Sequence, residues 1–475
     1  MLILISLVPH FFLTWLLFLK NPPIWPDESI YMDTALTLVK TGQLATSIFN
    51  GAIIGLEKYA AWYPPLYFYV LSFWIATFGS SIEIMRLLSV LFSLGSLILI
   101  YKIAKNIFES TRLAILSILM ITVDYWFSLS SRVGRMDSLA FFLLVSTFYF
   151  FLRANKDKHQ TNYLVAGTIA GLSVINHPLG LIAPVVIIIY LFIVQPSFKE
   201  KFFSALNFLL PVGIMLLIWY INMGNFFDLF VEQYKLQFAR KAVMTPYAKF
   251  LFDSDIWWKI LFIIYFIVLL IAIRQILIIR RKKDLLLAVG FVVSTLVLLW
   301  GKELWYTLYF QPFATLMLIS IINTNDSKTG NKTLFMFAIF SIFFFFAVNL
   351  SKLSTDIQGK KIGDSDYHAF SKLISDKIAN NSAVFLSVIP DPYFDLRQRK
   401  DLTLFEFPTV PVTREAYIKI LNSADYVVVN QIFNPIVSQY IKDNAAGYDK
   451  ILESGGYGAI VVKLKPRQKR QKNEE

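Results

Sequence analysis

Two adjacent carboxylates, Asp27 and Glu28, follow the first apolar segment of the chain, in Trp25-Pro26-Asp27-Glu28-Ser29. Charged side chains near a bilayer are costly and tend to mark function. A carboxylate in such a place can take a proton from an attacking hydroxyl. Asp27 and Glu28 are therefore the first candidates for catalysis. The alternative is that they cap the helix that begins near Ser29, since acids favour a helix N-terminus.

Two later groups combine acids with cations. Arg135 and Asp137 lie two residues apart, and Lys302 adjoins Glu303 shortly before Tyr306. Arg and Lys bind phosphate and stabilise negative charge that develops on it. Acids and cations together would suit transfer from a lipid-linked phosphate. Each pair is also typical of a simple ion pair at a membrane interface, where Lys extends its charge towards water.

Composition bounds the class of protein. The chain has 475 residues, of which 56% are hydrophobic and only 16% charged, so it is predicted to be a polytopic membrane protein. It has no Cys, which excludes disulfides, thiolate catalysis and Cys-ligated metals. The net charge of +13 is explained by Lys and Arg in cytoplasmic loops, so no nucleic-acid partner is expected.

Apolar segments long enough to cross a bilayer predict about 11 transmembrane helices. Lys and Arg then concentrate in the inner loops only if the aromatic segment 64–79 does not cross, so we interpret it as a juxtamembrane helix. This arrangement places the N-terminus inside and the C-terminus outside. The eleven predicted segments are 2–19, 87–104, 113–129, 138–152, 163–175, 179–194, 202–221, 257–279, 285–300, 304–322 and 334–350.

The run 163–194 is too long for one crossing, and Asn176-His177-Pro178 interrupts it. The residue before a proline is pushed out of the helical region, so two helices are expected to meet there at an outward apex. His177 is interpreted as a turn residue rather than a catalyst.

The topology divides the chain into two domains. Residues 1–350 form the transmembrane domain, with a first outer loop at 20–82 and a further outer loop at 222–254 that contains Arg240. Residues 351–475 are polar and alternate between helical and strand patterns, which predicts a small outer α/β domain with a basic tail. The predicted elements are helices 366–379, 416–421 and 434–442 and strands 383–388, 426–429 and 459–464.

These motifs, in this order, resemble the membrane glycosyltransferases of the GT-C fold. Within them, the chain resembles the branch of dolichyl-phosphate-mannose protein mannosyltransferases and the lipid A aminoarabinose transferase. The resemblance covers roughly residues 1–320. It is carried by Pro26-Asp27-Glu28-Ser29 with Tyr31, Gly42, Tyr63-Pro64-Pro65-Leu66-Tyr67, Phe78-Gly79 with Arg86-Leu87, Arg135-Met136-Asp137 and Gly301-Lys302 with Tyr306.

The resemblance implies a role for each matching residue. Asp27 would be the catalytic base or would orient the acceptor, Glu28 would support it, and Asp137 would be the second-loop acid. The residues implied in donor-phosphate binding are Arg135, Lys302 and Tyr306. Many members have His or Lys where this chain has Tyr63, and Lys58 and Arg240 are the cations that would substitute. A divalent metal is a possible cofactor, with Asp27 and Asp137 as its ligands.

The leading hypothesis is an integral membrane glycosyltransferase that moves a sugar from a polyprenyl-phosphate donor to a lipid, glycan or protein acceptor, with inversion. Membrane lipids are the other expected partners. The expected location is a bacterial inner or plasma membrane, with the active site on the extracytoplasmic face. The alternatives are a transporter or flippase of lipid-linked sugars, and a surface-glycan polymerase or ligase that uses a lipid diphosphate.

Overall fold

The computed structural model describes most of the chain. The described residues are 2–49, 51–157, 160–195, 197–243, 255–274, 276–277, 282–301, 303–325, 332–358, 366–408, 413–430, 435–454 and 458–465.

Helices make up most of the first 358 residues, because a chain in hydrocarbon must satisfy its own backbone hydrogen bonds. Among the described residues, seven helices are long and apolar enough to cross a membrane, and four shorter apolar helices accompany them. Each predicted apolar segment is largely helical over its described part, although Asp124 divides 113–129 into two helices and 304–322 begins with a 3-10 turn. The helices are α1 (Leu2–Leu17), α2 (Pro26–Thr41), α3 (Leu66–Phe78), α4 (Ile82–Phe108), α5 (Thr111–Val123), α6 (Tyr125–Ser130), α7 (Asp137–Asp157), α8 (Gln160–Val174), α9 (Ile182–Val194), α10 (Phe198–Met223), α11 (Phe227–Val243), α12 (Ile256–Arg274), α13 (Lys282–Gly301), α14 (Thr307–Asn325) and α15 (Lys332–Gln358).

The predicted break between α8 and α9 is confirmed. A short 3-10 segment, Pro178–Leu181, separates the two helices, and the His177 side chain caps it by accepting the Leu179 N–H at 3.1 Å. A glycine is required at position 180, because a Cβ there would lie 2.2 Å from the carbonyl oxygen of Ser173. This close return of the chain holds His177 at the end of the bundle.

Helix α3 coincides with the segment 64–79, which the charge bias predicted to be juxtamembrane. Its 13 residues give a length of about 20 Å, less than the hydrocarbon thickness of about 30 Å. It packs against α2, where the Ser72 hydroxyl donates to the Ala35 carbonyl at 3.0 Å and Tyr31 contacts Phe68. The two helices therefore form one layer at the end of the bundle.

The C-terminal residues form a five-stranded mixed sheet in the order β2-β1-β3-β5-β4. Strand β1 pairs in parallel with β2 and β3, whereas β5 is antiparallel to both β3 and β4. The six predicted elements are all present, and β2, β4 and α17 are additional. The elements are α16 (Tyr367–Ser375), β1 (Ala383–Ser387), α17 (Tyr393–Leu396), β2 (Thr403–Glu406), α18 (Arg414–Ser423), β3 (Tyr426–Asn430), α19 (Pro435–Asp443), β4 (Tyr448–Ser454) and β5 (Ala459–Leu464).

One hydrophobic core joins the sheet domain to the segment that follows α1. Side chains of α2, α3 and the segment 44–62 pack in a single buried cluster with Tyr367, Phe370, Leu386 and Val428. A separate core lies among the membrane helices. Helix α15 continues past residue 350 to Gln358 and leads into the sheet domain. The sheet domain is thus packed on the layer that contains Asp27.

Candidate active site

Glu28 is an internal anchor of the site. It lies in the first turn of α2, is fully buried, and accepts the Trp25 N–H at 3.0 Å in a helix-capping contact. Arg86 of α4 donates to both Glu28 oxygens, at 2.8 and 2.7 Å, and the Gly134 N–H donates at 2.7 Å. Its carboxylate is therefore occupied by donors from three parts of the chain.

Arg86 completes this anchor and was not singled out as a functional residue from the sequence. It is fully buried, and its Nη1 also donates to the carbonyls of Phe18 and Pro22, at 2.7 and 3.1 Å. The available signal was an arginine within an otherwise apolar helix, which requires a buried acid as partner. Arg86 and Glu28 together fix α2 against α4 and the start of α7.

Asp27 turns away from this anchor, because successive residues of a helix point about 100° apart. Arg135 bridges two acids: its Nη1 donates to Oδ2 of Asp27, and its Nε donates to Oδ2 of Asp137 at 3.0 Å. The exposed fractions of the Asp27, Arg135 and Asp137 side chains are 13%, 23% and 1%. One cation is thus shared by two carboxylates at an opening to solvent.

The surroundings hold Arg135 in its charged form. Its guanidinium carbon lies 5.1 Å from the ring centre of Trp305, in a cation–π contact. Burial alone would lower the pKa of Arg135, but the charges of Asp27 and Asp137 outweigh it and raise the pKa above its ordinary value. Arg135 therefore stays protonated and can interact with an anion.

A tyrosine of the helix bundle holds Asp137 in place. Asp137 begins α7 and accepts the Tyr309 hydroxyl at 3.1 Å through Oδ1. The Tyr309 ring stacks on His177 with centroids 5.7 Å apart, and Tyr306 contacts the same imidazole at 6.3 Å. These contacts join the N-terminal end of α14 and the α8–α9 turn to the cluster of Asp27, Arg135 and Asp137.

A cavity of about 110 Å³ opens beside the cluster. It is lined by Trp62, Tyr63, His177, Pro178, Leu179, Tyr234, Gln237, Phe238, Arg240, Trp300 and Tyr306. Arg240 is its cation. The Arg240 Nη2 lies 3.5 Å from Oε1 of Glu303, and its Nε is buried with no hydrogen-bond partner among the described residues. The cavity therefore combines one guanidinium with aromatic walls.

Two further features shape the cavity. Burial raises the pKa of Tyr63, and the nearby charge of Asp27 adds to this, so Tyr63 remains a neutral hydroxyl. Gly301 allows the Tyr306 ring to approach, because a Cβ at position 301 would lie 2.3 Å from that ring. The cavity and the Asp27–Arg135–Asp137 cluster share Tyr63 as a neighbour.

The overall arrangement matches solved structures over nearly the whole chain. ArnT from Cupriavidus metallidurans in the apo state superposes with a TM-score of 0.61, at 12% identity and with 97% of each chain covered. ArnT from the same organism bound to undecaprenyl phosphate gives 0.60, also at 12% identity with 97% of each chain covered. The apo oligosaccharyltransferase of Archaeoglobus fulgidus gives 0.53 at 11% identity, with 90% of this chain and 69% of that one covered.

This is the GT-C fold. The predicted fold class, a polytopic helical membrane protein with a small C-terminal α/β domain, is confirmed. One sequence comparison agrees with it, and a second finds a relative. Residues 63–219 match the family model of dolichyl-phosphate-mannose-protein mannosyltransferase. An uncharacterized protein of Aquifex aeolicus (strain VF5) is 26% identical over 219 residues, which cover 44% of this chain and 42% of that protein.

Within this GT-C fold, the predicted site residues other than the buried Glu28 lie in different surroundings. The structure brings Asp27, Arg135 and Asp137 together, and it places Tyr306 and Arg240 at the adjoining cavity. Lys58 lies on an exposed turn, and none of the contacts described above involves it. Lys302 lies outside the described residues.

The donor set does not fit a divalent metal ion. Asp27 and Asp137 share the Arg135 guanidinium, which occupies the position between them where a cation would sit. Among the described residues, no group of three His, Asp or Glu is arranged to hold a metal.

His177 is the residue at this GT-C site that the sequence interpretation undervalued. It is indeed a turn residue, but it also lines the cavity and stacks on the tyrosine that holds Asp137. Spacing along the chain gave no hint of this, because Tyr309 is brought to it from a distant helix.

Proposed function

We propose that the protein is a membrane glycosyltransferase that moves a sugar from a polyprenyl-phosphate donor to an acceptor on the extracytoplasmic face. The main observation behind this proposal is that Arg135 bridges Asp27 and Asp137 beside a cavity that is lined by Arg240. The GT-C fold and the undecaprenyl phosphate bound by an ArnT of the same fold support this assignment.

The proposed step needs one base and one anion site. The acceptor oxygen attacks the anomeric carbon and passes its proton to Asp27, while the bond from that carbon to the phosphate oxygen breaks. The lipid phosphate leaves with the electron pair, and Arg135 and Arg240 stabilise its negative charge. Attack opposite the leaving group inverts the anomeric centre.

Arg135 links the two halves of this step. Without donor, its Nη1 holds Oδ2 of Asp27. A phosphate at the cavity competes for the same guanidinium, which frees Asp27 to accept a proton. Asp137, held by Tyr309, keeps Arg135 in position through Nε while Nη1 changes partner.

The positions of charged residues favour transfer over transport. A carrier of lipid-linked sugars typically has ionisable residues near the middle of its spans. Here Asp137 begins α7 and Arg86 lies in the second turn of α4, so these charges sit at helix ends.

The test uses the purified protein in liposomes with a radiolabelled polyprenyl-phosphate sugar and a cell-envelope lipid or glycan fraction as acceptor. We expect label in the acceptor, and competition by unlabelled monophosphate carrier but not by diphosphate carrier. Movement of intact lipid-linked sugar between leaflets without transfer would reject the proposal in favour of a flippase. Competition by the diphosphate alone would indicate a polymerase or ligase.

A further inference from the structure

A second, much larger cavity lies at the opposite end of the helix bundle from Asp27. Its volume is about 1030 Å³, and it lies between the C-terminal ends of α4 and α7. Lys105, which lines it, follows Arg86 on α4 by about 28 Å along the helix axis, so the cavity is remote from the candidate active site. The lining residues are Tyr101, Lys102, Lys105, Asn106, Ile107, Glu109, Tyr149, Leu152, Arg153, Asn155, Lys156, Tyr190 and Leu286.

The walls of this basic cavity carry an excess of positive charge. Among the described residues that line it, the cations are Lys102, Lys105, Arg153 and Lys156, and the only acid is Glu109. Lys102 Nζ lies 5.5 Å from the ring centre of Tyr149, and Lys105 Nζ lies 6.0 Å from that of Tyr101. Cations at helix C-termini offset the helix dipole, but here they also surround an open volume, which fits a phosphate group.

The floor of the basic cavity is apolar. Ile107, Leu152 and Leu286 line both this cavity and a narrow adjoining crevice between α4, α7, α13 and α14. The rest of that crevice is entirely hydrophobic: its lining residues include Ile103, Phe148 and Phe313. A site with cations at its mouth and hydrocarbon at its base matches an amphiphile rather than a free sugar phosphate.

We propose that the basic cavity binds an anionic phospholipid, with its phosphate between Lys102 and Lys105 and the start of an acyl chain on the Leu152 floor. Basic pockets between membrane helices bind lipid headgroups by this combination of charge and apolar contact. The occupant comes from the surrounding bilayer, because the mouth is formed at the ends of α4 and α7, which are both long and apolar enough to cross a membrane. This site does not depend on the proposed glycosyltransferase activity.

The test measures phospholipid binding to the full-length protein after delipidation in detergent, by native mass spectrometry with phosphatidylglycerol and phosphatidylcholine. We expect phosphatidylglycerol to bind more tightly. The double variant Lys102→Ala/Lys105→Ala should bind it about thirtyfold more weakly, since each surface cation contributes about 1 kcal/mol. The matched control is Lys199→Ala/Lys201→Ala at the start of α10, at the same end of the bundle, which should bind as wild type.

A second variant addresses the apolar floor. Leu152→Trp should fill the floor and weaken phosphatidylglycerol binding without removing charge. Glycerol 3-phosphate, which has the phosphate but no acyl chain, should fail to displace the lipid. Equal weakening in the two double variants would overturn the site as non-specific attraction. Displacement by glycerol 3-phosphate at lipid-like concentrations would overturn the lipid assignment in favour of a small anion.

Discussion

At the level of single residues, Asp27 and Glu28 are neighbours with opposite surroundings. Glu28 is fully buried and held by Arg86 and two backbone N–H groups, whereas Asp27 is partly exposed and contacts the Arg135 side chain. The helix-cap interpretation therefore applies to Glu28, and the chemical role is proposed for Asp27. Glu28 supports that role by holding the helix that carries it.

The contrast predicts different consequences of substitution. Glu28→Ala leaves the Arg86 charge buried without its partner, which should destabilise the fold by about 3–5 kcal/mol. Asp27→Asn removes only a partly exposed charge and should melt close to wild type. Thermal unfolding of both purified variants checks this. A Glu28→Ala protein as stable as wild type would contradict the anchoring role.

Arg240 is expected to act on the donor rather than on the fold. Arg240→Ala removes the cation of the active-site cavity, so the KM for the polyprenyl-phosphate donor should rise about tenfold, with a smaller change in kcat, if the lost contact to phosphate is worth about 1.4 kcal/mol. Steady-state kinetics measure this. Lys235→Ala is the control: it lies on the same helix, its side chain is 66% exposed, and it pairs with Glu232. Equal effects of the two substitutions would remove Arg240 from the donor site.

At the level of elements, α2 is held between the bundle and the sheet domain. On the domain side, the Asp391 N–H donates to the Ile24 carbonyl at 2.9 Å and the Ser29 hydroxyl donates to the Asp391 carboxyl. Tyr393 donates its hydroxyl to Asp33 at 2.8 Å. The helix that carries Asp27 is therefore positioned in part by the C-terminal domain.

The contribution of this interface to the stability of the protein should depend on pH. Burial raises the pKa of Asp391 to about 6, and burial with the charge of Asp391 raises the pKa of Glu406 as well. The folded protein keeps protons that the unfolded chain releases above about pH 4. The stabilising contribution of this pair should therefore be fully present below about pH 4 and be lost progressively as the pH rises through about 6.

A matched pair of variants tests the assignment. Glu406→Gln removes one of the two buried acids, so it should raise the melting temperature at pH 7.5. It should also make the melting temperature depend less on pH between pH 5 and 7.5. Asp376→Asn, at an exposed position of the same domain, should leave the wild-type profile unchanged. A pH profile unaffected by Glu406→Gln would show that this pair does not titrate as described.

Part of this fold could be predicted from the sequence, and part could not. Local sequence patterns predicted the membrane helices and strands β1, β3 and β5. Strands β2 and β4 were missed, since Thr403–Glu406 is short and Tyr448–Ser454 is polar and irregularly paired with β5. The Glu28–Arg86 anchor and the His177–Tyr309 stack join distant segments, so no spacing in the chain could indicate them.

At the level of the whole molecule, the proposed function requires that the protein has one fixed orientation in the membrane. The active-site cavity and the sheet domain lie at one end of the bundle, and the basic cavity lies at the other. The excess of Lys and Arg in the predicted inner loops predicts that the first end faces the outside of the cell. This orientation is a proposal that single cysteines can test, because the native chain has none.

Two exposed positions suit this measurement. Lys235→Cys lies on α11, which packs on the first outer loop through Gln233 contacts to Ile54 and Tyr59. Lys199→Cys lies at the start of α10, at the opposite end. A membrane-impermeant maleimide should label Lys235→Cys in intact spheroplasts and label Lys199→Cys only after permeabilisation. The reverse pattern would put the active-site cavity on the cytoplasmic side.

The most direct measurement of the central claim is sugar transfer by Asp27→Asn in liposomes. Glu57→Gln, an exposed acid in the same outer loop, serves as control. The account predicts that Asp27→Asn binds donor and melts like wild type but transfers sugar about 10²–10⁴-fold more slowly, as expected for loss of a general base. Glu57→Gln should keep full activity. Wild-type transfer by a correctly folded Asp27→Asn protein would contradict the account.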